Sequence, residues 1–446
     1  MSDRRRRAAR DDPKAPRPCG RDRGVRPRRP ALNILQINRR DLTGRRFNGY
    51  DLHRALAGLG HRAEMLVQEK RSRDPGVHGY PDALRWLDLA VHGAERVTGL
   101  QGLLSPIGLS IPLRGCFRRA DIVHWHLVYP QLISLPIMPI LARMRPTVWT
   151  LHDPWPTTGH CIHPLECPRW KTGCGRCPDL KRNYEVWLDT TAMSWRIKRA
   201  AYRRLPVTLV TTSRWLRSRL EASPLLSGLP CHTIPTGLDL EIWKRRDRAE
   251  CRARLGIPIE AHVLAFRLPA SERWMGGKGG NWLLEALERY RPTRPTVLIA
   301  FESASPLRRF GEKYGVVDMG WLADDDRLID ALTAADVFLM PSEAENAPTM
   351  TLEAMACATP VIGTDNTGFP EIVRPPQAGL LVPLRDAGAL AGAIERLLAD
   401  PPLRREMGER GRRLIETEYS LSLNARRHVE LYESVLAARS ARPGRP

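Results

Sequence analysis

Short apolar runs alternate with amphipathic, helix-like segments along most of this 446-residue chain. The first such unit runs from ALNILQIN (31–38) through DLHRALAGLGH (51–61) to RAEMLVQ (62–68). A strand, a helix and a second strand in this order form a βαβ unit, in which the two strands are parallel. Because the pattern recurs along the chain, it restricts the fold to the α/β class with parallel sheets.

The alternation separates into two sets, each about 200 residues long, which is the size of one domain. We therefore predict two Rossmann-like, doubly wound domains that face each other across a cleft, with ligands bound beyond the carboxyl ends of the strands. The predicted segments are a tail, an N-terminal domain, a C-terminal domain, and a last helix and tail that pack back on the N-terminal domain. Their bounds are 1–30, 31–235, 236–420 and 421–446.

The chain is strongly basic, with 70 Lys and Arg against 49 Asp and Glu and a formal net charge of +21. The Pro- and Arg-rich residues 1–30 lack periodic apolar positions, which predicts disorder. This segment fits a basic arm for nucleic acid or an anionic membrane, a solvated extension, or a misassigned start. The remaining excess of positive charge is spread along the chain, so nucleic acid is not the expected partner, although a basic nucleic-acid-binding protein stays an alternative.

The first 30 residues contain no apolar core of the kind that secretory signals have. No apolar run reaches the roughly 18 residues that a membrane-spanning helix needs. We therefore expect a cytoplasmic protein, with any membrane contact peripheral and at the inner face, through basic and apolar surface together.

Two carboxylates stand out in the stretch from Pro341 to Val373. Glu345 lies in a polar loop after the apolar run ADVFLM (335–340). Glu353 lies on a helix that starts near Pro348, with seven residues between the two acids. This spacing separates the two acids, so they suit two ends of an elongated ligand better than an acid–base couple. The helix N-terminus between them suits a phosphate. The alternative is an amphipathic helix with two solvated acids.

The flanking sequence resembles a known family. The E-x7-E spacing, LEAMACATPV (352–361) and GFPEIV (368–373) resemble the donor site of retaining glycosyltransferases of the two-Rossmann-domain, GT-B type, family 4. IPTGLD (234–239) is similar to the segment that joins the domains in that family. The stretches TLHDPWPTTGHC (150–161) and CPRWKTGCGRCPDL (167–180) resemble a bacterial subgroup associated with exopolysaccharide and lipopolysaccharide.

The resemblance implies a hexosyltransferase that moves a sugar from a nucleotide-diphosphate sugar to a glycan or lipid-linked acceptor, with retention, in cell-surface polysaccharide biosynthesis. Its second domain would bind the donor and its first the acceptor. By the same resemblance, Glu345 contacts sugar hydroxyls or the charge developing at the anomeric carbon, and Glu353 binds the ribose. The segment with Asn346, Pro348 and Thr349 would offer backbone N–H groups to the sugar and phosphates.

Two cations are candidates for the diphosphate. Lys278, in GGKGG, matches the lysine that the family places on the donor side. Arg267 follows a predicted strand and is the candidate companion, with Arg273 as its rival. The first loop departs from the family, because Gly44 and Gly49 are separated where the family has adjacent glycines. Phosphate binding by Gly44 is therefore in doubt, and a catalytically altered, sugar-nucleotide-binding homologue is an alternative function.

His152 falls where the family places a histidine near the reacting sugar, so the resemblance makes it a catalytic candidate with Glu345 and Lys278. Asp153 would orient the imidazole or bind the acceptor, and Trp155 would stack on an acceptor sugar, with core packing as its alternative. Enzymes of this type are thought to use front-face attack, with the leaving phosphate taking the acceptor proton. No cofactor and no catalytic metal is therefore expected.

Four cysteines, Cys161, Cys167, Cys174 and Cys177, fall in the segment 154–180. Four clustered thiols, two of them in a C-x2-C turn, suit a structural zinc ion. A chain without an export signal disfavours disulfides. Zinc, free thiols and disulfides stay open at this stage. In each case the segment follows His152 and is predicted to form a lid or an acceptor-side loop.

Overall fold

A computed structural model describes residues 30–43, 49–80, 82–103, 105–127, 132–181, 185–271, 275–322 and 324–441. The predicted disorder of the N-terminal tail (residues 1–29) and the predictions on Gly44 and Arg273 lie outside the described residues. The chain from Leu32 onward belongs to one compact unit.

The N-terminal half is built on a parallel sheet of seven strands in the order β3-β2-β1-β4-β5-β6-β7. Apolar side chains on alternate positions point to opposite faces of the sheet. Leu35 and Ile37 pack on one face, and Ile34 packs on the other. The strands are β1 (Asn33–Arg40), β2 (Arg62–Glu69), β3 (Val77–Gly79), β4 (Ile122–Trp125), β5 (Thr147–Leu151), β6 (Val207–Thr211) and β7 (Cys231–Thr233).

Helices cover both faces of this sheet, as the βαβ pattern requires. Trp125, Trp149 and Trp195 belong to the larger apolar cluster, while Leu52 and Leu56 of α1 pack in the cluster on the other face. The helices of this half are α1 (Tyr50–Gly58), α2 (Asp82–Thr98), α3 (Gly115–Arg119), α4 (Met138–Met144), α5 (Thr191–Tyr202) and α6 (Arg214–Glu221).

The C-terminal half is built on a second parallel sheet, of six strands in the order β10-β9-β8-β11-β12-β13. Its strands are β8 (His262–Leu268), β9 (Thr296–Glu302), β10 (Gly315–Gly320), β11 (Val337–Met340), β12 (Val361–Thr364) and β13 (Gly379–Val382). The helices that follow the first half are α7 (Arg248–Arg254), α8 (Gly280–Arg289), α9 (Asp325–Ala334), α10 (Thr349–Ala356), α11 (Phe369–Val373), α12 (Ala387–Ala399), α13 (Pro401–Glu418) and α14 (Leu421–Ser440).

The last helix returns to the N-terminal sheet. Leu238, in the segment that joins the halves, exchanges backbone hydrogen bonds with Tyr419 (2.7 Å) and Leu421 (2.8 Å) just before α14. Tyr432 of α14 is buried, and its hydroxyl lies 2.7 Å from Nδ1 of His124 on β4. The chain therefore passes between its two halves twice, at adjacent points.

The predicted fold class, two Rossmann-like α/β domains with parallel sheets, is confirmed by these sheets. The domain bounds stay predictions. Within the described residues, no helix combines the length and apolar character that crossing a bilayer requires.

A buried charge cluster fixes the first strand of the C-terminal sheet. The Asp336 carboxylate, whose side chain is 5% exposed, contacts Arg252 Nη2 (3.0 Å), Arg248 Nη1 (3.1 Å) and the Val263 backbone N–H (2.9 Å). Arg252 is equally buried and also donates to the carbonyls of Ala334 and Ala261. Each charge is thus paired and hydrogen-bonded, which a buried charge requires.

We predict that Asp336→Ala lowers the free energy of unfolding by about 3–5 kcal/mol, because it leaves the Arg252 guanidinium buried without a counter-ion. The matched control is Asp326→Ala, since Asp326 also pairs with an arginine, Arg246, but is 80% exposed. It should cost less than about 1 kcal/mol. Urea denaturation of both variants measures the difference, and equal costs would contradict the prediction.

Candidate active site

The loop before α8 packs against the segment after β11 at a distance that only glycine allows. A Cβ at Gly279, whose φ is +73°, would lie 1.8 Å from the Pro341 carbonyl oxygen. Glu343 N–H donates to the Gly277 carbonyl (3.1 Å). This packing brings Lys278 Nζ to 2.6 Å from Oε1 of Glu345. The two residues are far apart in sequence, and the structure joins them as one ion pair.

The Glu345 carboxylate is held ionised by its surroundings. Burial raises the pKa of Glu345, but the neighbouring Lys278 ammonium, with smaller contributions from His163 and Ser342, brings it below its usual value. The backbone of Glu345 is also fixed, because its N–H donates to Thr367 Oγ1 (3.0 Å) and its carbonyl accepts from Gly368 (2.9 Å).

Helix α10 begins at Thr349, after Pro348, and no side chain caps its N-terminus. Glu353 lies on this helix, where its side chain is buried. The structure therefore has Glu345 before an uncapped helix N-terminus and Glu353 within the helix, in the order that the sequence predicts. An uncapped N-terminus leaves backbone N–H groups that suit an anion.

Asn346 ties this segment to the other domain. Its side-chain Nδ2 donates to the His152 carbonyl (2.8 Å) and to Thr212 Oγ1 (2.7 Å), and its Oδ1 accepts from the Ser213 hydroxyl. The prediction concerned only the backbone around Asn346. The structure adds that the buried side chain fixes the backbone carbonyl of His152 against the C-terminal domain.

Glu371, which is not among the residues predicted from the sequence, makes a second bridge between the domains. Its carboxylate accepts from the backbone N–H groups of Arg214 (2.9 Å) and Trp215 (3.2 Å), at the start of α6. A carboxylate at a helix N-terminus is favourable both as an acceptor and for the helix dipole. The motif GFPEIV marks Glu371 in the sequence. The motif does not show that its partner is the N-terminus of α6, which is distant in sequence.

His152 lies at the end of a line of polar side chains in the N-terminal sheet. His126 Nδ1 is 3.3 Å from His152 Nε2, and the two rings are stacked. The Gln36 amide is best oriented with Nε2 donating to the Gly49 carbonyl (2.8 Å) and to His126 Nε2 (3.0 Å). His126 then carries its proton on Nδ1 and donates to His152, which fixes the orientation of the His152 ring.

Arg267 and Asp153 are each engaged locally. Arg267 Nε is 2.7 Å from Oε2 of Glu302, on the adjacent strand β9. Asp153 Oδ1 accepts from the Trp155 N–H (2.8 Å), which closes a tight turn directly after His152. Neither contact assigns a ligand, so their roles at the donor and acceptor stay predictions.

Of the two alternatives for Trp155, stacking on an acceptor sugar and packing in the core, the structure supports packing in the core. Its side chain is 0% exposed, and its Nε1 donates to Gln101 (3.3 Å). Burial lowers the pKa of Lys198. Its Nζ lies 3.2 Å from the centre of the Trp155 ring and donates to the carbonyls of Trp155 and Thr158 (2.8 Å each). The ring is thus covered by the buried Lys198 side chain and belongs to the core.

The cysteine-rich segment reaches the C-terminal domain. Glu166 lies 3.8 Å from Arg385 of the C-terminal domain, which itself pairs with Glu343, whereas the His163 ring stacks on Trp215 of α6 in the N-terminal domain at 6.1 Å. A cavity of about 180 Å³ lies between the segment and the donor loop, and it is lined in part by His163, Trp215 and Glu343. The role of the segment as a lid or an acceptor-side loop stays a prediction.

The four cysteines Cys161, Cys167, Cys174 and Cys177 line one small cavity, and none of them forms a disulfide. Burial raises the pKa of Cys161 to about 12, so its thiol is protonated. Across the described residues, no three or more His, Cys, Asp or Glu side chains are arranged to hold a metal ion. Zinc binding by these cysteines stays a prediction.

Two family models match the chain, one over each half. Residues 50–242 match glycosyltransferase family 4, and residues 278–414 match glycosyl transferases group 1. The chain is a GT-B glycosyltransferase. The enzyme is 27% identical over 398 residues to an alpha-maltose-1-phosphate synthase of Mycolicibacterium smegmatis. The matched region covers 84% of this chain and 95% of the relative.

Two further proteins are similar to this glycosyltransferase. A putative colanic acid biosynthesis glycosyl transferase of Escherichia coli K12 is 23% identical over 57% of this chain and 62% of its own length. The Anabaena HepE protein, in its complex with UDP-glucose, matches the fold with a TM-score of 0.59 at 16% identity, over 90% of this chain and 99% of that one. The predicted fold and the predicted glycosyltransferase activity are confirmed.

We predict that the enzyme loses stability as the pH falls below about 6.5. Burial lowers the pKa of His428 to about 4 and that of His152 to about 3, below the ordinary value of 6.5. The unfolded chain therefore binds protons that the folded protein excludes, and this stability is present above pH 6.5 and is lost as the pH falls toward 4. Each such histidine contributes a slope of up to roughly 1.4 kcal/mol per pH unit.

Urea midpoints at several pH values test this in wild type, His428→Gln and His232→Gln. His428 is buried and bonds the Asn424 carbonyl through Nδ1 (2.9 Å), whereas His232 is exposed. His428→Gln should flatten the pH dependence between pH 6.5 and 4, and the exposed control should not. A slope that is the same in all three proteins would disprove the assignment.

Proposed function

We propose that this enzyme transfers a hexose from a nucleotide-diphosphate sugar to a glycan or lipid-linked acceptor, with retention of the anomeric configuration. The observation that carries the proposal is the ion pair (2.6 Å) between Lys278, on the loop before α8, and Glu345, on the loop that leads into the uncapped N-terminus of α10. A cation, a carboxylate and free backbone N–H groups suit the phosphates and hydroxyls of one nucleotide sugar.

The donor would take over interactions that the protein makes with itself. Lys278 would turn from Glu345 toward the diphosphate, and Glu345 would accept hydrogen bonds from sugar hydroxyls. Glu353 would bind the ribose through the next turns of α10. Arg267 stands as the candidate companion cation, although it must then share its guanidinium with Glu302. A cation already positioned at the diphosphate stabilises the negative charge that develops on it as the leaving group.

The chemical step needs no protein nucleophile. The bond between the anomeric carbon and the phosphate oxygen breaks, and the acceptor oxygen forms its bond on the same face of the sugar. The acceptor hydroxyl proton passes to the departing phosphate oxygen. His152, held by His126 and by the Asn346 contact with its carbonyl, would donate a hydrogen bond near the reacting sugar, and Asp153 would approach the acceptor.

A role in cell-surface polysaccharide biosynthesis is part of the proposal. It rests on the similarity to the putative colanic acid biosynthesis enzyme and on the segment 154–180, which resembles the exopolysaccharide and lipopolysaccharide subgroup. The relative that synthesises alpha-maltose-1-phosphate, by its name, indicates that a phosphorylated acceptor is a second class to test.

The test is a screen of UDP-, GDP- and ADP-sugars for binding and hydrolysis, repeated with Glu345→Gln and Glu343→Gln. The two glutamates are matched, because each is 13% exposed and each pairs with a cation. Glu345→Gln should lower kcat/KM about 100-fold or more, since it removes a charge at the reacting sugar. Glu343→Gln should stay within about threefold, because its partner Arg385 is 42% exposed and solvent screens their ion pair.

Two results would overturn the proposal. The first is that no nucleotide sugar binds, or that the two variants behave alike. The second is a product whose anomeric configuration is opposite to that of the donor, which would exclude retention. NMR of the product gives this configuration from the coupling constant of the anomeric proton.

A further inference from the structure

The outer layer of the N-terminal domain exposes many large apolar side chains. Ten of them lie on α2, on the 3-10 turn Ile107–Leu113, on α4 and just before α5. They are Trp86, Leu87, Leu89, Val97, Leu109, Leu113, Ile140, Met144, Trp187 and Leu188. We call this surface, together with the arginines Arg114, Arg118, Arg143 and Arg145 between them, the basic–apolar face.

Helix α2 presents a continuous apolar side to solvent. Trp86, Ala90, Gly93 and Val97 recur at the spacing of one helix side, and all four are exposed. The backbone N–H of Trp187 donates to the Arg96 carbonyl (3.0 Å), which places Trp187 at the end of this stripe. A helix of 17 residues is about 25 Å long, so the stripe is long enough for a surface rather than a pocket.

The other elements of the face are joined to α2 and to one another. The Arg114 guanidinium lies 5.0 Å from the ring centre of Tyr80, shortly before α2. Arg118 Nε donates to the Pro112 carbonyl of the 3-10 turn (3.1 Å). Arg145, after α4, donates through Nε to the carbonyl of Phe117 in α3 (3.2 Å). The face is therefore one connected layer.

Its positive charge is not neutralised. Within the described ranges, no carboxylate forms an ion pair with Arg114, Arg118, Arg143 or Arg145; Arg118, Arg143 and Arg145 donate to backbone carbonyls instead. Uncompensated arginines beside exposed Trp and Leu match a bilayer that carries anionic headgroups. Nucleic acid would use the arginines but gains little from exposed leucines, so the apolar half of the face favours a lipid surface.

The face ends beside the acceptor side of the candidate site. Gln101, shortly after α2, accepts from Trp155 Nε1 (3.3 Å), and Trp155 follows His152 and Asp153 in one tight turn. Ser194 of α5 also donates to the Gly99 carbonyl (3.4 Å). We propose that the basic–apolar face docks on an anionic bilayer and so presents the acceptor side to a lipid-linked acceptor. The proposed docking is argued from the exposed side chains of this face. Only the delivery of a lipid-linked acceptor rests on the proposed function.

The test is sedimentation of the full chain with vesicles of phosphatidylcholine, or of phosphatidylcholine and phosphatidylglycerol in equal amounts. Leu89→Ser is compared with Ile259→Ser, because both side chains are 61% exposed and Ile259 lies in the C-terminal domain. Leu89→Ser, alone or with Trp86→Ser, should weaken binding to anionic vesicles about tenfold or more, since it removes the apolar area that enters the bilayer. Ile259→Ser should bind as wild type does.

A second pair of variants tests the charge. Arg118→Gln with Arg143→Gln should weaken binding to the anionic vesicles only, and added salt should remove the difference. The exposed Arg405→Gln, on α13, is the control and should have no effect. Circular dichroism confirms that each variant is folded. The basic N-terminal tail is present in every protein, so its contribution cancels from the comparison.

Three results would overturn the docking proposal. Vesicle binding that is the same in the face variants and their controls would place any membrane contact elsewhere. A shift of wild type from dimer to monomer on Leu89→Ser, seen by light scattering, would make the face an interface between two copies. If single-stranded DNA displaces the protein from the vesicles, and if Leu89→Ser does not change its binding to DNA, the face would be a nucleic-acid surface. If vesicle binding depends on the face but no nucleotide sugar binds, the proposed function fails and the docking surface stands.

Discussion

The close backbone packing around residues 341–346 is the constraint on which the rest of the active site depends. A Cβ at Gly279 would meet the Pro341 carbonyl oxygen at 1.8 Å, and a Cβ at Gly368 would meet the Asn346 carbonyl oxygen at 1.7 Å. Only glycine allows the loops on both sides to approach so closely. The approach sets Lys278 against Glu345 on one side and leads into Glu371 on the other. One segment thereby positions the donor groups and the contact between the domains.

The two domains contribute different kinds of polar groups to this contact. The C-terminal domain supplies a compact set of side chains, Asn346 and Glu371, which bond backbone atoms of the other domain. The N-terminal domain supplies a row of histidines, His124, His126 and His152, whose neighbouring ring centres lie 4.1 Å and 5.6 Å apart. Burial lowers the pKa of all three rings, so this row is neutral, whereas the Lys278–Glu345 pair places charge on the donor side.

Much of the fold was predictable because buried parallel strands are short apolar runs that can be recognised without their partners. The pairing of Lys278 with Glu345 was predictable only in outline, through motifs that the family shares. The side chain of Asn346 and the cap that Glu371 provides were not, because each depends on a partner in the other domain and no local pattern reports it. Stacking and core packing stayed open for Trp155, because the sequence around an aromatic residue is the same whether its ring faces solvent or, as here, covers the buried Lys198.

The two crossings of the chain between its halves lie side by side, joined through Leu238, Tyr419 and Leu421. Two adjacent tethers that are bonded to each other restrict twisting of one half against the other more than a single tether does. The line through the two crossings is therefore the natural axis about which the halves would rotate around a nucleotide sugar, and fewer relative orientations are left to be lost on closing.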